Sequence, residues 1–375
     1  MNDVAAHLTQ IGGELERAVL DVVRSAAYIM GPQVAELESA LARYLGVPHA
    51  IGVSSGTDAL LVALMALGVG PGHQVLTSTY SFFASSGAAA RLGATPVLLD
   101  IEPDTFNLDP AALEGWLAAH DPSRVKAIVP VHLFGQCADM APVLELAAGH
   151  GIPVVEDAAQ AIGATLPLAG GIRKAGTLGA IGAYSFFPSK NLGGIGDGGL
   201  VVTSDDELAD RLRRLRVHGA EPKYHHALVG GNFRLDTIQA AALLVKLPHL
   251  ERWHAGRRAL AAAYDAALDG LDGVTVPRLA WGREHHIYNQ YVIRLATGRD
   301  RLQKELAAAG VSTAIFYPVP FHLQECFRPL GHRRGDFPRA EAAAAESLAI
   351  PIYPDLRPDQ QEHVAAVIRR FAGAD

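Results

Sequence analysis

Cysteine is scarce in this sequence: its 375 residues include only Cys137 and Cys326, which lie far apart. A disulfide framework needs several paired cysteines, so we expect the chain to fold in a reducing compartment. Long apolar runs are also missing. The most apolar window, Leu60–Gly70, is shorter than the roughly 18 residues that a membrane-spanning helix needs. A membrane protein is therefore not expected.

Excess positive charge and targeting signals are absent as well. The formal net charge is −7 at pH 7, and the basic stretch Arg211–Arg216 has the spacing of a solvated helix face. Nothing in it predicts a surface that follows a nucleic-acid backbone. The N-terminal segment carries Asp3 and lacks the apolar core of a signal peptide. We expect a cytoplasmic protein without nucleic-acid or membrane partners.

Apolar residues, in contrast, make up 49% of the chain, which is enough to bury a large core. A length of 375 residues exceeds a usual domain of about 100–150 residues, so a large domain and a smaller one are predicted. A long helical stretch after Asp236, bent at Pro248, marks the boundary. We assign residues 1–250 to the large domain and residues 251–375 to the small one.

Short apolar segments alternate with helical stretches through the N-terminal half of the chain. The predicted strands are residues 50–53, 74–77, 95–99, 125–129, 153–155, 182–185 and 200–203. Uniformly apolar strands between helices predict a three-layer α/β fold, in which helices cover both faces of a mostly parallel sheet. Ligands bind such sheets at the carboxyl ends of the strands, so the loops that follow the strands are candidate sites.

The first two of these loops have the parts of a phosphate site and a ring-stacking site. Ser55, Gly56 and Thr57 precede a helix. Glycine allows a close approach of the main chain, and the free N–H groups of a helix N-terminus bind anions. Taken alone, an ordinary N-cap explains these residues better. Phe82 can stack on a flat ligand, although core packing is the commoner role for such a residue.

Two later loops carry charged residues beside apolar strands. Asp157 closes a strand, where a carboxylate is costly to bury unless it meets a cation such as a pyridinium nitrogen; an N-cap is the alternative. Lys190 lies in the glycine-rich segment Tyr184–Gly199, together with Ser185, which can donate to a phosphate. An apolar, glycine-lined setting lowers the pKa of a lysine and favours imine formation, whereas an isolated lysine is usually solvated.

Together these parts match one cofactor. A phosphate cup, a stacking ring, a carboxylate for a pyridinium nitrogen and an imine-forming lysine are what pyridoxal 5'-phosphate (PLP) requires. We predict that Lys190 holds PLP as a Schiff base and that Asp157 keeps the ring nitrogen protonated. No metal site is predicted, because the His pairs at 225–226 and 285–286 are adjacent and do not converge in regular structure.

A set of sequence strings carries a specific resemblance. The strings are Ser55–Leu60, Glu156–Gln160, Ser185–Gly199, Gly231–Ala241, Tyr317–Gln324 and Pro351–Pro354. Their order resembles the DegT/DnrJ/EryC1/StrS family of sugar aminotransferases, over most of the chain from Gly31 to Pro354. The resemblance implies the aspartate-aminotransferase-like fold of type I PLP enzymes, with a smaller C-terminal α/β domain.

The resemblance also implies the residues that hold the cofactor. They are Gly56, Thr57, Phe82, Asp157, Gln160, Ser185, Lys190 and Asn232. Lys190 matches the catalytic lysine, which also moves the proton during the reaction, and Gln160 matches a residue near the ring oxygen. Asn232 matches an asparagine that reaches the cofactor phosphate of the neighbouring subunit. The resemblance therefore implies a homodimer with shared active sites.

The implied reaction is a transamination in two halves. An amino acid, usually L-glutamate in this family, loads the cofactor with an amino group, which then passes to a keto group of a nucleotide-linked sugar. Asp197, the run Tyr224–His226 and Arg234 look closer to members that act on 3-keto than on 4-keto hexoses. Phe316 stands where relatives that aminate uronates have His, which weighs against a uronate, although Arg234 could still bind a carboxylate. Candidate substrate ligands are Arg234, Tyr317 and His322.

Two other functions stay open. A PLP-dependent sugar dehydratase or isomerase has the same fold, but a sister branch that dehydrates has His in place of the lysine, so Lys190 argues against it. A non-catalytic regulatory relative would keep the fold without turnover. The intact Lys190 and Asp157 argue against that function too.

Overall fold

The structure, a computed structural model, describes residues 3–222 and 224–373. Its strands in the N-terminal part are, in chain order, β1 (His49–Val53), β2 (Gln74–Ser78), β3 (Thr95–Leu99), β4 (Val125–Val129), β5 (Val155–Asp157), β6 (Thr165–Leu168), β7 (Gly171–Lys174), β8 (Ile181–Ser185) and β9 (Gly199–Thr203). All of them except the hairpin of β6 and β7 belong to one central sheet.

The central sheet has the order β3-β2-β4-β5-β8-β9-β1. Strands β3, β2 and β4 pair in parallel, and parallel bridges from Ile128 to Val154 and from Val131 to Asp157 join β4 to β5. Strand β5 is parallel to β8, while β9 is antiparallel to both β8 and β1. The sheet is therefore mostly parallel, as predicted, and β9 is its antiparallel member.

Helices cover both faces of this sheet. They are α1 (Val4–Ser25), α2 (Pro32–Leu45), α3 (Gly56–Ala66), α4 (Ala84–Arg91), α5 (Pro110–Ala119), α6 (Met140–Gly149), α7 (Asp206–Arg216), α8 (Thr237–Lys246) and α9 (Leu250–Leu268). Successive strand residues point to opposite faces. Thus Val75 and Val129 pack with α3, α4 and α7, whereas Leu76 and Ile128 pack with α2, α5, α6 and α8. This three-layer arrangement confirms the predicted fold class.

The C-terminal part forms a smaller α/β unit with a core of its own. It contains the antiparallel strands β10 (Val274–Thr275), β11 (Tyr291–Leu295) and β12 (Ser347–Ile350), with helices α10 (Arg299–Ala308), α11 (Pro338–Glu346) and α12 (Pro358–Phe371). Helices α8 and α9 are joined by the 3-10 turn Leu247–His249, which contains Pro248. The bend lies where the sequence places it, and the domain boundary near residue 250 stays a prediction.

Helix α1 and the β6–β7 hairpin were not expected from the sequence. Asp3 caps α1, since its side chain accepts hydrogen bonds from the N–H groups of Ala5 and Ala6. Ile11, Leu15 and Val22 are buried along one side of the helix, which packs on α8. Within the described residues, no helix has both the length and the apolar character that crossing a membrane demands.

Candidate active site

A cavity of about 540 Å³ lies at the carboxyl ends of β1, β2, β5 and β8. Its walls include most of the predicted site residues, namely Gly56, Thr57, Phe82, Asp157, Gln160, Ser185, Lys190 and Tyr317. Two surface grooves, which are more open than this cavity, have larger volumes of about 720 and 770 Å³, but no lysine lines either of them. Because the predicted chemistry needs an amine, the cavity at the strand ends is the candidate active site.

The start of helix α3 forms one end of the cavity. Ser55 is the N-cap residue, and its Oγ accepts a hydrogen bond from the N–H of Asp58 at 3.0 Å. A Cβ atom at Gly56 would lie 2.6 Å from the Cβ of Ser185. Only glycine therefore lets the helix start approach β8 so closely, with the exposed Thr57 beside it. The ends of strands β1 and β8 thus bring serine and threonine hydroxyl groups close to the free N–H groups at the start of α3, as an anion site requires.

Gly56→Ala should weaken this end of the cavity. The added methyl group must displace Ser185, so we expect a loss of about 1–3 kcal/mol in stability and weaker cofactor binding. Thermal unfolding and a cofactor titration measure both effects. Gly115→Ala is the matched control, because it lies in α5 with no heavy atom within 4 Å of the added Cβ and should stabilise slightly. Equal behaviour of the two variants would contradict the close-approach argument.

Asp157 and Lys190 carry two of the charges that line the cavity. Asp157 is 4% exposed, and its Oδ2 and Oδ1 accept hydrogen bonds from Ser85 Oγ at 2.7 Å and from the Ala159 N–H at 3.1 Å. A carboxylate with two such bonds still has lone pairs for a third donor. Burial lowers the pKa of Lys190 to about 8, although the Asp157 charge acts in the opposite direction. A neutral, nucleophilic amine is thus accessible near neutral pH.

Aromatic side chains form an apolar wall of the cavity. Phe82 is 55% exposed, and its ring centroid lies 6.2 Å from that of Tyr317. Gln160 is held at both ends of its amide: Oε1 accepts from the Phe134 N–H at 2.8 Å, and Nε2 donates to the Tyr317 hydroxyl at 3.0 Å. The hydroxyl of Tyr80 in turn accepts the main-chain N–H of Tyr317 at 2.9 Å. The wall is therefore fixed by polar contacts while its face remains apolar.

Glu156, next to Asp157, has a structural environment. It is fully buried, and it accepts hydrogen bonds from the N–H groups of Gly176, Leu178 and Gly179 at 2.6–2.8 Å. Its Oε2 also lies 2.8 Å from His132 Nε2. Because the Ala138 N–H donates to His132 Nδ1 at 3.1 Å, the proton of that ring is on Nε2, which donates to Glu156. Glu156 and His132 thus support the loops behind the cavity.

Three of the predicted residues do not line this cavity. His322 is 2% exposed, with its Nδ1 3.0 Å from Thr79 Oγ1 and its Nε2 3.0 Å from Glu341 Oε1. Both ring nitrogens are engaged, so the structure does not support His322 as a substrate ligand. Asn232 and Arg234 lie outside the cavity of their own chain, where Arg234 Nε donates to Asn232 Oδ1 at 2.7 Å.

Sequence reasoning missed several residues that the cavity uses. Ser85 contacts Asp157, Phe187 extends the apolar surface, and Gln290 joins the wall from the C-terminal part. Ser85 lies one helical turn after Ser81. Serines are common near helix N-termini, so this position alone does not indicate a functional residue. Gln290 has no local signal, because only the tertiary fold brings it to the cavity beside the central sheet.

The residues of the cavity fit pyridoxal phosphate. Ser55, Gly56 and Ser185 offer a cradle for a phosphate that an added Cβ at Gly56 would fill. Asp157 has acceptor capacity for a protonated ring nitrogen, and Lys190 supplies an amine of lowered pKa. The cavity volume of about 540 Å³ is also in the range of small-molecule sites.

Comparisons with known proteins agree along nearly the whole chain. The model of the DegT/DnrJ/EryC1/StrS aminotransferase family matches residues 9–369. The chain is 46% identical to a pleiotropic regulatory protein of Geobacillus stearothermophilus, covering 99% of this chain and 98% of that protein. It is 43% identical to the UDP-N-acetyl-3-dehydro-alpha-D-glucosamine 3-aminotransferase of Acidithiobacillus ferrooxidans, covering 99% and 97%. The crystal structure of S. venezuelae DesV in complex with a ketimine intermediate is 41% identical, with a TM-score of 0.93 and coverage of 99% and 97%.

Proposed function

Since the chain belongs to the DegT/DnrJ/EryC1/StrS aminotransferase family, we propose that it transfers an amino group from L-glutamate to the 3-keto group of a nucleotide-linked hexose. It is a PLP-dependent aminotransferase. The observation that carries the proposal is the lysine of lowered pKa that shares one cavity with Asp157. The 3-keto position is supported by the relative from A. ferrooxidans, whose name gives a 3-dehydro sugar as its substrate.

The chain's own residues divide the work. When bound, PLP supplies an electron sink for the carbon that loses a proton. Lys190 provides the amine that attaches the cofactor, and once released, its neutral Nζ takes and returns the proton. Asp157 would place its negative charge beside the ring nitrogen of the bound cofactor, and Phe82 would cover a ring face. The wall of Phe82, Phe187 and Tyr317 limits water around the reacting atoms.

The charge of the cavity supports a second subunit in the site. Among the described residues that line it, the charged side chains are Asp157, Asp197 and Lys190. The proposed substrates, however, carry a carboxylate or a diphosphate, and cationic side chains usually bind such anions. Lys190 cannot serve as this cation, because it reacts as a neutral amine. Arg234 lies outside the cavity of its own chain, close to Asn232. A partner subunit would add both residues to this cavity.

Exposed apolar residues beside Arg234 also support a homodimer. Ile29 is 52% exposed and forms a bridge pair with Asp236, and Ile195 is 43% exposed with its N–H bonded to Gln239 of α8. Both side chains therefore flank the start of α8, which follows Arg234. Clustered exposed apolar side chains are typical of protein interfaces. We also propose that the protein is cytoplasmic and that its domain boundary lies near residue 250.

Mixed dimers test the shared site. Lys190→Ala and Asn232→Ala subunits should each be nearly inactive alone. When they are co-expressed, half of the dimers are mixed and each mixed dimer has one intact site, so about a quarter of the wild-type activity should return. A mixture of two Lys190→Ala preparations with different tags is the control. Activity that does not exceed that of the separate variants would contradict sharing.

A half-reaction assay tests the substrate class. Excess L-glutamate should bleach the visible band of the purified holoenzyme. A UDP- or dTDP-linked 3-keto hexose should then restore the band faster than the matching 4-keto sugar. Faster recovery with the 4-keto sugar would overturn the proposed position, and a band that is unaffected by glutamate and by other amino acids would overturn the aminotransferase proposal itself.

A regulatory function is the second candidate, because one relative bears the name of a pleiotropic regulatory protein. Such a protein would bind PLP without using an amino donor. The same glutamate assay separates the two candidates, since only an aminotransferase converts the cofactor repeatedly. The amine of lowered pKa at Lys190 favours turnover.

A further inference from the structure

Buried polar groups connect the C-terminal part of the molecule to the residue that follows Lys190. Asn191 is 6% exposed and Asn289 is 7% exposed. Nδ2 of Asn289 donates to Oδ1 of Asn191 at 2.7 Å, and Nδ2 of Asn191 donates to the carbonyl of Ile287 at 3.0 Å. The segment at residues 287–289 thus holds the main chain next to Lys190.

The orientation of this amide pair is specified. The Ile287 carbonyl can only accept, so Asn191 must point its NH2 group there and its oxygen towards Asn289. Asn289 then has to present its own NH2 group. Its Oδ1 is left buried without a hydrogen-bond partner among the described residues. Burying an acceptor without a partner costs free energy. The hydrogen bond from Asn289 to Asn191 is therefore formed although it leaves the other end of the Asn289 amide without a partner.

The segment itself is anchored on two sides. Arg257 of α9 is 1% exposed, and its Nη1 donates to the carbonyls of Tyr288 at 3.0 Å and of Ile352 at 2.8 Å. On the other side, the Ile287 N–H donates to the Gly135 carbonyl at 3.0 Å. Because both anchors are buried hydrogen bonds, Asn289 is presented from a rigid support.

Lys190 itself lies at the start of a glycine-rich segment that is held mainly by contacts with other parts of the chain. Its N–H bonds to the nearby carbonyl of Phe187 at 2.8 Å, and the residues that follow include Gly193, Gly194 and Gly196. Glycines leave the main chain many conformations, so a lysine here needs support from elsewhere. Lys246 holds the carbonyl of Gly193 at 2.7 Å, but Asn191 is the support adjacent to the lysine.

We propose that Asn289 is a positioning residue that acts through Asn191 to hold the Lys190 amine inside the cavity, facing Asp157. The same segment continues into Gln290, which lines the cavity. The segment at residues 287–290 therefore contributes to the site in two ways, through a wall residue and through the amide pair. The inference rests on Lys190 as the residue that binds the cofactor, and it does not depend on which sugar is the substrate.

The rate of cofactor capture by the full-length apoenzyme, measured against pH, tests this proposal. The neutral amine reacts, and in the wild type burial keeps the Lys190 pKa near 8. In Asn289→Ala the lysine gains access to water, so its pKa should rise and the capture profile should move to higher pH. At a fixed pH below the pKa, a rise of one unit in the Lys190 pKa means roughly tenfold slower capture, because the neutral fraction of the amine falls tenfold. Growth of the visible band after PLP is added gives the rate.

Gln361→Ala is the matched control for lost stability. Gln361 is 8% exposed, and its Nε2 donates to the Leu260 carbonyl at 2.7 Å, away from the cavity. This variant also loses a buried amide hydrogen bond, so its thermal unfolding should occur at a lower temperature while its capture profile stays at the wild-type pH. If Asn289→Ala behaves in the same way, Asn289 is only structural and the proposal is overturned.

A double-mutant cycle tests the route through Asn191. If Asn289 acts through Asn191, the variant with both residues changed to Ala should have the same capture rate at pH 7.5 as the slower single variant. Additive losses would show independent action and overturn the proposal. Wild-type protein that fails to capture PLP at any pH would instead refute the function of Lys190, so the two failures are distinguishable.

Discussion

Lys190→Ala will abolish the visible absorbance of the bound cofactor and lower transamination by about 10⁴-fold or more, because it removes both the covalent attachment and the proton-transferring group. The amine is held in the cavity where burial lowers its pKa to about 8, and no other lysine lines that cavity in the described part of the chain. Steady-state rates and the absorbance spectrum of the purified variant measure the two effects together.

Lys174→Ala is the control for the loss of a partly buried lysine. Lys174 lies over the ring of Tyr44, with its Nζ 3.8 Å from the ring centroid, on the β6–β7 hairpin. Its removal should leave the visible band and the rate of transamination close to wild type. A Lys190→Ala variant that retained the covalent band would mean that another amine holds the cofactor.

Asp157→Asn should lower transamination by roughly 10²–10³-fold, because it removes a preorganised charge beside the ring nitrogen. Ser85 Oγ and the Ala159 N–H both donate to the Asp157 carboxylate. An amide has only one acceptor oxygen, so the asparagine cannot accept both hydrogen bonds in the same way. Both half-reactions should slow, since each needs the ring as an electron sink. Single-turnover measurements with glutamate and with the keto sugar separate them.

Glu156→Gln is the neighbouring control. Glu156 accepts four hydrogen bonds, and an amide can accept on only one of its two ends, so we expect about 1–3 kcal/mol of destabilisation. The rate per folded, cofactor-loaded molecule should change little. If Glu156→Gln slowed transamination as strongly as Asp157→Asn, the assignment of the ring-nitrogen partner to Asp157 alone would be refuted.

The sequence located the site because its main parts lie in loops next to strands of clear pattern. Asp157 ends an apolar strand, and Lys190 lies between two strands in a glycine-rich turn, so both became candidates from local sequence, and the combination of all the parts assigned their roles. Ser85 and Gln290 could not, since a serine in a helix and a glutamine before a strand have no distinctive local pattern. His322 shows that local sequence can also suggest a residue that does not line the site. This loop histidine resembled a substrate ligand, but it is buried between Thr79 and Glu341.

The lysine, the carboxylate beside the ring and the parallel sheet that carries them were determined by the sequence itself, since strand periodicity and loop chemistry are local properties. What only the tertiary structure decided is how these groups are held. Asn289 meets Asn191, and Tyr317 meets Gln160, across separations of 98 and 157 residues. Such pairs depend on how the C-terminal part packs on the central sheet, and no local pattern in the sequence encodes that packing.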